Sequence, residues 1–477
     1  MIGFDTIGNA TIIVHDGDPV LVTDPWISGS PYFGSWTMSH EIPGEQREHI
    51  ARAPYVWFSH AHPDHTDAQS LDAFRGKQVL LADHVGGRLA HDLTTLGLNV
   101  RVVPDRRWLE LSKHVRIMTI ADYNQDSILL VDVNGYLIIN LNDANDRGWG
   151  SLVKRIVRDY RGRSFLLKLS GYGDADMINL RDEAGELIPP VVPAGFSVGE
   201  RIELVTEAYG ASYFIPFSSF HRYQREDSVW ANRYVTQVSD YGKGFDSRRC
   251  RLLPAFVRVN CETGDIAELH PPVRDVRVRA AAEFGDNWAD PLEVNERQDL
   301  KAYFLRKERL RDHFAYLRFV VGGVETIVDL GRGRRQSGIS FHVPRASLVS
   351  AVRYQIFDDL LIGNFMKTTL HGGADLYSYF TPTVAKYADN GRAESKRELR
   401  EYFVAYARRS PLPLLRLVLE QTSEGVFRKL VPGQSLLYRA TKRVYWFVKR
   451  RSATWGLVVA TIQDPVVRAI LALGAES

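Results

Sequence analysis

The chain has 477 residues and a mass of 54.1 kDa, about three times the usual domain size, so two or three folded units are expected rather than one core. At 45% hydrophobic, 25% charged and 11% aromatic residues, it has the composition of a globular protein, which excludes disordered, collagenous and wholly coiled-coil classes. The net charge of +3 argues against a nucleic-acid footprint over the whole surface. Two cysteines, Cys250 and Cys261, exclude a disulfide scaffold, a four-cysteine zinc site or an iron–sulfur cluster. Any metal must therefore rest on histidines and carboxylates.

In chain order, the first 145 residues read as short apolar strands separated by turns, with helical patterns between them. Thr11 to Val14 and Val20 to Thr23 flank Asp16-Gly17, and Ser127 to Val133 and Tyr136 to Leu141 flank Asn134-Gly135; both pairs predict hairpins, because these residues tolerate positive φ. Further strands are predicted at Tyr55 to Phe58, Val79 to Leu81 and Val115 to Thr119, with helices over Ala68 to Phe74 and Val85 to Thr95. A helix over Ser151 to Tyr160, a long Gly/Asp/Pro-rich loop over 171–199, another helix and the strand Tyr213 to Phe217 follow. Pro271 and Pro272 mark a boundary. Beyond it come a hairpin across Gly322-Gly323, a strand from Ile339 to Val343 and an amphipathic helix from Arg345 to Phe357. The expected units are 1–270, 271–393 and 394–477, the last helical and basic, with 15 Lys or Arg against seven Asp or Glu from Glu394 onward.

The strongest chemical signal is Ser59-His60-Ala61-His62-Pro63-Asp64-His65, directly after the apolar strand Tyr55 to Phe58. Residues two apart in extended chain point the same way, so His60 and His62 can share one metal, while Asp64 and His65, past the bend, address a second. Imidazole and carboxylate ligands suit zinc, iron or manganese alike.

This motif resembles the metallo-β-lactamase superfamily. The resemblance implies an α/β fold, a four-layer αββα sandwich carrying a dinuclear site at one edge, here joined by a second α+β domain and the basic helical C-terminal segment. It implies that Asp24, ending the run Val20 to Thr23, holds the histidine loop. It implies that His60 and His62 bind a first metal, that Asp64, His65 and His221 bind a second, and that Asp143 bridges them. Asp64 and Asp143 would be the catalytic carboxylates. The family's further histidine, before the strand leading to the bridging Asp, is missing. Asp122, or less favourably Asp126, stands in that region as a substitute ligand, which shifts preference from zinc toward iron or manganese. Thr23 to Trp26, Ser59 to His65, Asp126 to Asp143 and Pro216-Phe217 are similar to the metallo-β-lactamase-like portion of the CMP-N-acetylneuraminate hydroxylase family. That family also carries an N-terminal Rieske domain, which needs two Cys and two His ahead of this region. No Cys precedes Cys250, so an oxygenase of this type is expected to draw electrons from a separate protein. The run Ile339 to Val343 followed by a helix and Leu360 to Asn364 is faintly similar to sterol-carrier-like domains.

The leading expectation is a hydrolase using two divalent metal ions against an ester, phosphoester or amide in a small-molecule substrate. The alternatives are a non-haem iron oxygenase and a non-catalytic binding protein with a degraded site. His15, His84, His91 and His114 have no ligand spacing and read as structural or surface, whereas His40, after Trp36, is placed to reach the cleft. The start Met1 to Asp5 lacks the pattern of a signal peptide, and a cytoplasmic location is expected. The aromatic and cationic residues of Tyr438 to Arg451 fall at helical spacing, as in a helix lying on an anionic membrane surface; an alternative is a helix packed on its own domain. On the membrane reading, truncation near Glu394 abolishes sedimentation with anionic liposomes, and unchanged liposome binding refutes it.

Overall fold

A computed structural model describes residues 1–144, 148–172, 177–190, 197–218, 220–331, 337–413 and 415. The first apolar runs form a meander, Ile2–Ile7, Thr11–Asp16 and Asp18–Thr23, whose second turn is closed by Gly17 at φ 78°. Parallel strands Tyr55–Phe58, Gln78–Ala82 and Asn99–Val103 add to one side, and the pair Val257–Asn260 and Ile266–Glu268 to the other, giving eight strands. A second sheet of seven runs Arg251–Leu252, Tyr213–Pro216, Ser164–Lys168, Tyr136–Asn142, Ser127–Val133, Val115–Ala121 and Leu109–Glu110.

These strands are apolar without clean alternation because both faces are covered. One buried cluster joins Phe4, Ile12, Leu21, Trp57 and Leu80 of the larger sheet to Ile117, Leu129, Ile138, Phe165 and Leu167 of the smaller. The opposite faces bury Val22, Val56 and Leu81 under Ile50 and Leu93 from the helices Gly44–Arg52 and Arg88–Thr95, and Leu130, Ile139 and Leu166 under Val153 and Ile202 from the helices Gly150–Val157 and Val198–Tyr209. The Val198–Tyr209 helix starts at a reciprocal Ser197/Glu200 cap and stops at Gly210, which takes the left-handed conformation.

A third, five-stranded sheet contains Tyr316–Val321, Val324–Asp329, Gly338–His342 and Lys367–His371, around Phe304, Phe319, Phe341, Phe357 and Phe380. Its edge strand, Leu180–Arg181, comes from the long loop of the first half of the chain. Arg225, without solvent exposure, donates to Asp227, Asp286 and the Phe33 carbonyl and lies on the Phe365 ring, which staples this sheet's surroundings to the first two. The helix Lys396–Arg409 places the Tyr402 and Tyr406 hydroxyls beside Gln125 and the Val85 amide.

Two predicted helices change shape. Asp67 accepts hydrogen bonds from the Ser70 amide and hydroxyl, so the stretch predicted over Ala68 to Phe74 closes as a turn and keeps only the 3₁₀ helix Leu71–Phe74. The helix predicted from Arg345 to Phe357 stops at Tyr354, where Gln355 adopts φ 55°, and a new one runs Phe357–Ile362. The run Tyr438 to Arg451 lies outside the described residues, and no helix among those described is long and apolar enough to cross a membrane.

Cys250 and Cys261 are both buried. Burial and the Asp132 charge push the Cys261 thiol up to about 12, so its thiolate does not form near neutrality. Ellman's reagent at pH 8 is expected to titrate neither thiol in the folded protein and both in denaturant; a rapidly reacting native thiol contradicts this packing.

Candidate metal centre

The histidine loop begins where the strand Tyr55–Phe58 leaves the sheet. Its shape is set by local bonds: the His65 and Thr66 amides donate to the His62 carbonyl, and the Thr66 hydroxyl donates to the His60 carbonyl. Asp24, at the end of the neighbouring strand, accepts from the Ser59 amide at 2.7 Å and from Asn142 Nδ2 at 2.8 Å. Asp24 and Asn142 both hold positive φ, 39° and 48°, a strained backbone of the kind concentrated at functional sites.

Each histidine is held through its outer nitrogen. His60 Nδ1 lies 2.8 Å from Ser59 Oγ, His65 Nδ1 lies 3.3 Å from Asp24 Oδ2, and His62 Nε2 donates to Asp358 Oδ2 at 3.2 Å. Such partners fix ring orientation and leave the other nitrogen free to bind a metal. The inner nitrogens converge accordingly. His60 Nε2 is 2.8 Å from His62 Nδ1, and His65 Nε2 is 3.2 Å from Asp64 Oδ2. Asp143 Oδ2 faces both groups, 3.8 Å from His60 Nε2 and 3.6 Å from His65 Nε2. His60, His65 and Asp143 offer ligand atoms all within 4.8 Å of one another. Buried His65 Nε2 has no hydrogen-bond partner of its own. Imidazole nitrogens and carboxylate oxygens closing on one space fit a divalent cation.

The electrostatics agree. Burial and the neighbouring His65 and His62 charges hold His60 well below the ordinary imidazole value, in the neutral form that binds metal. Burial also disfavours a proton on His65, but Asp64, Asp143 and Asp24 outweigh it and push that ring well above its usual value. Burial would raise Asp64 and Asp143, yet His65 holds both below the usual carboxylate range. The carboxylates thus demand positive charge at this centre, which a divalent cation can supply with every imidazole neutral.

Four residues expected as ligands lie outside the trio: His62 and Asp64, which adjoin it, and Asp122 and His221. Asp122 closes a tight turn, its Oδ1 accepting from the Asn124 and Asp126 amides, so one of its two oxygens is held by the local backbone. Asp126 accepts from Asn124 Nδ2, although its charge reaches His60 and Asp358. His221, fully buried, is stacked flat on Trp36 at 3.4 Å between centroids and stands edge-on to Tyr223. His40 also turns elsewhere, packing against Phe256 beside Ser39.

Other groups at the centre carry no motif. Tyr32 and Asn9 donate to the two oxygens of Asp64, and Ser218 Oγ donates to Asp143 Oδ1 at 2.5 Å. Asp358 comes from the Phe357–Ile362 helix, 296 residues from His62. Its neighbour Asp359 is pushed up to about 8 by burial, with the Asp358 charge adding to the shift and His62 opposing it. The only sequence signal for this pair is two acids inside a short, otherwise apolar helix. A cavity of about 90 Å³, lined by Ser59, His60, His84, Arg88, Gln125 and Asn390 among others, adjoins the loop. His84, read from the sequence as structural or surface, has both ring nitrogens buried without hydrogen-bond partners and is lowered by burial to about 4.

A mixed α/β fold with a His/Asp centre at strand ends is the arrangement of a metallo-β-lactamase-type protein, and the chain resembles that class. Its sequence relatives carry the name of one hydroxylase, in one case as an inactive form. It is 27% identical over 167 residues to cytidine monophosphate-N-acetylneuraminic acid hydroxylase of Asterias rubens, covering 32% of this chain and 25% of that protein. It is 28% identical over 149 residues to the human protein named as the inactive form of that hydroxylase, covering 29% of this chain and 30% of the relative. The match therefore spans about a quarter to a third of these relatives. No family model matches. Among solved structures, isothiocyanate hydrolase from Delia radicum gut bacteria overlaps 56% of this chain and 98% of its own (TM-score 0.36, 12% identity). The metallo-β-lactamase fold protein YhfI of Bacillus subtilis overlaps 51% and 87% (TM-score 0.30, 9% identity).

Replacing Asp358 by Asn removes the charge that orients His62. We expect zinc affinity to fall about 10–100-fold in competition with a chromophoric chelator, with an unchanged far-ultraviolet circular dichroism spectrum. Wild-type affinity in the variant would remove Asp358 from the centre.

Proposed function

We propose that this chain is a metal-dependent hydrolase built on a four-layer αββα sandwich, acting on an ester, phosphoester or amide of a small molecule. The convergence of His60 Nε2, His62 Nδ1, His65 Nε2, Asp64 and Asp143 on one buried space supports this reading. In it, His60 and His62 hold one divalent ion, zinc or iron or manganese, Asp64 and His65 hold a second, and Asp143 lies between them. Two such ions lower the pKa of a water and take up negative charge developing on a substrate oxygen.

The chain's own groups supply orientation. Ser218 anchors one oxygen of Asp143 and leaves the other toward the imidazoles, so Asp143 can position a water and hold its proton. Tyr32 and Asn9 restrain Asp64 in the same way. Asp358 and Ser59 keep the imidazoles in the tautomers that direct Nδ1 of His62 and Nε2 of His60 inward. Asp122 and His221 stand outside this ligand set; on this reading Asp122 shapes its loop and His221 packs on Trp36.

A second reading, a non-haem iron hydroxylase fed by a separate electron donor, is favoured by the names of the sequence relatives and by a donor set rich in carboxylates. The two readings differ in which metal is retained and what it reacts with. Protein purified without added metal is analysed by inductively coupled plasma mass spectrometry, assayed on nitrophenyl esters and phosphoesters, and tested for oxygen uptake after reduction. The hydrolase reading expects about two equivalents of divalent metal that are lost on replacing His62 and Asp64 by Ala, together with ester or phosphoester cleavage that falls at least 100-fold in the same variant. Retained iron with oxygen uptake and no cleavage favours the hydroxylase. A protein that retains and binds no metal overturns both.

A further inference from the structure

A second cluster of imidazoles lies on the larger sheet, away from the histidine loop. Asp5 on Ile2–Ile7 and His15 on Thr11–Asp16 are diagonal neighbours on antiparallel strands, since Asp5 pairs with Ile13 and Gly3 with His15. The helix Gly44–Arg52 crosses this face and contributes His49, whose ring meets that of His15 edge-on at 4.9 Å. His15 also pairs with Pro19, five residues before Asp24 along the strand. At the strand rise this is roughly 16 Å from the Asp24 end, so the cluster shares no ligand with the first centre.

Its polar accounting is incomplete. His15 is 97% buried, yet its Nε2 has no hydrogen-bond partner; His49 Nδ1, also shielded from solvent, has none either. His15 Nε2 lies 3.9 Å from Asp5 Oδ2, and Asp5, His15 and His49 each offer a ligand atom, all within 4.8 Å of one another. Buried polar atoms are ordinarily satisfied, and two orphaned imidazole nitrogens on residues clustered with one carboxylate indicate a missing shared partner.

The surrounding charges permit a cation. Arg258 donates to both Asp5 oxygens at 2.8 and 2.7 Å and pairs with Glu45 at 2.9 Å, so Asp5, Glu45 and Arg258 together carry one net negative charge. Gln46 Nε2 donates to Asp5 Oδ2 at 3.2 Å, the longest of the side-chain hydrogen bonds to Asp5 and the one a metal would replace. Burial lowers His15 to about 4, more than Asp5 raises it, with His49, Arg258 and the chain's amino terminus adding to the lowering; the ring is therefore a neutral ligand at physiological pH.

We propose that Asp5 Oδ2, His15 Nε2 and His49 Nδ1 form a second divalent-cation site, of zinc type, with water as the fourth ligand. It ties the first helix to the N-terminal hairpin and is structural in character.

The full chain, stripped of metal and dialysed against zinc, is compared with the His15→Ala/His49→Ala variant by inductively coupled plasma mass spectrometry. The same pair of changes is made in a His60→Ala/Asp143→Ala background, where the first centre is disabled. The site predicts the loss of one zinc equivalent in both backgrounds. Equal zinc content with and without His15 and His49 overturns it, whatever happens at the first centre. The half-buried His49 also allows a gentler change, His49→Gln, should the double variant misfold. Tetrahedral cobalt(II) absorption in the His60→Ala/Asp143→Ala protein that disappears with His49→Gln sustains the site, and absorption unaffected by that change refutes it.

Discussion

The Asp24 carboxylate is the point on which the rest of the centre depends. It sits fully buried at the end of a strand of the larger sheet and binds the first amide of the histidine loop, the Asn142 amide at the end of a strand of the smaller sheet, and the outer nitrogen of His65. One side chain thereby couples both sheets to the loop that carries the imidazoles. Taking a carboxylate out of water is costly unless it is fully paired, and burial does raise Asp24, against the pull of His65. The surrounding donors make that burial tolerable, and their loss would release the loop.

The same logic runs outward from the centre. Every imidazole has one nitrogen committed to the scaffold and one left inward, so direction is decided by neighbours rather than by the histidines themselves. For His60 and His65 the neighbours are local to the two large sheets. For His62 the neighbour is Asp358, which reaches it only because Gln355 turns the chain out of one helix and into the next. The five-stranded sheet and its helices are therefore part of the centre, held against it by Arg225 and by Asn364, whose carbonyl accepts from Asn179 and Trp230 and whose amide donates to Tyr223.

Much of this was legible along the chain. Asp16-Gly17 and Asn134-Gly135 mark hairpins because the turn geometry needs residues that accept positive φ, a local property. His60, His62, Asp64 and His65 stand out because their ligand atoms are close in sequence and follow an apolar strand, so proximity in space follows from proximity in chain. Asp143 was marked by its strand end.

What lay beyond the sequence has a common cause: it depends on which distant elements come to share a buried surface. Nothing within the Asp358-Asp359 pair says that it faces His62, and nothing near His15 says that a helix will bring His49 against it. Asp122 and His221 show that residues of the right type in the right order also take up other contacts, Asp122 Oδ1 within its own turn and His221 on the Trp36 ring. Chain-local chemistry named the ligand types and the first strand ends. Only packing between sheets and helices decided which nitrogens and carboxylates meet, because burial forces each polar atom to find its partner in three dimensions.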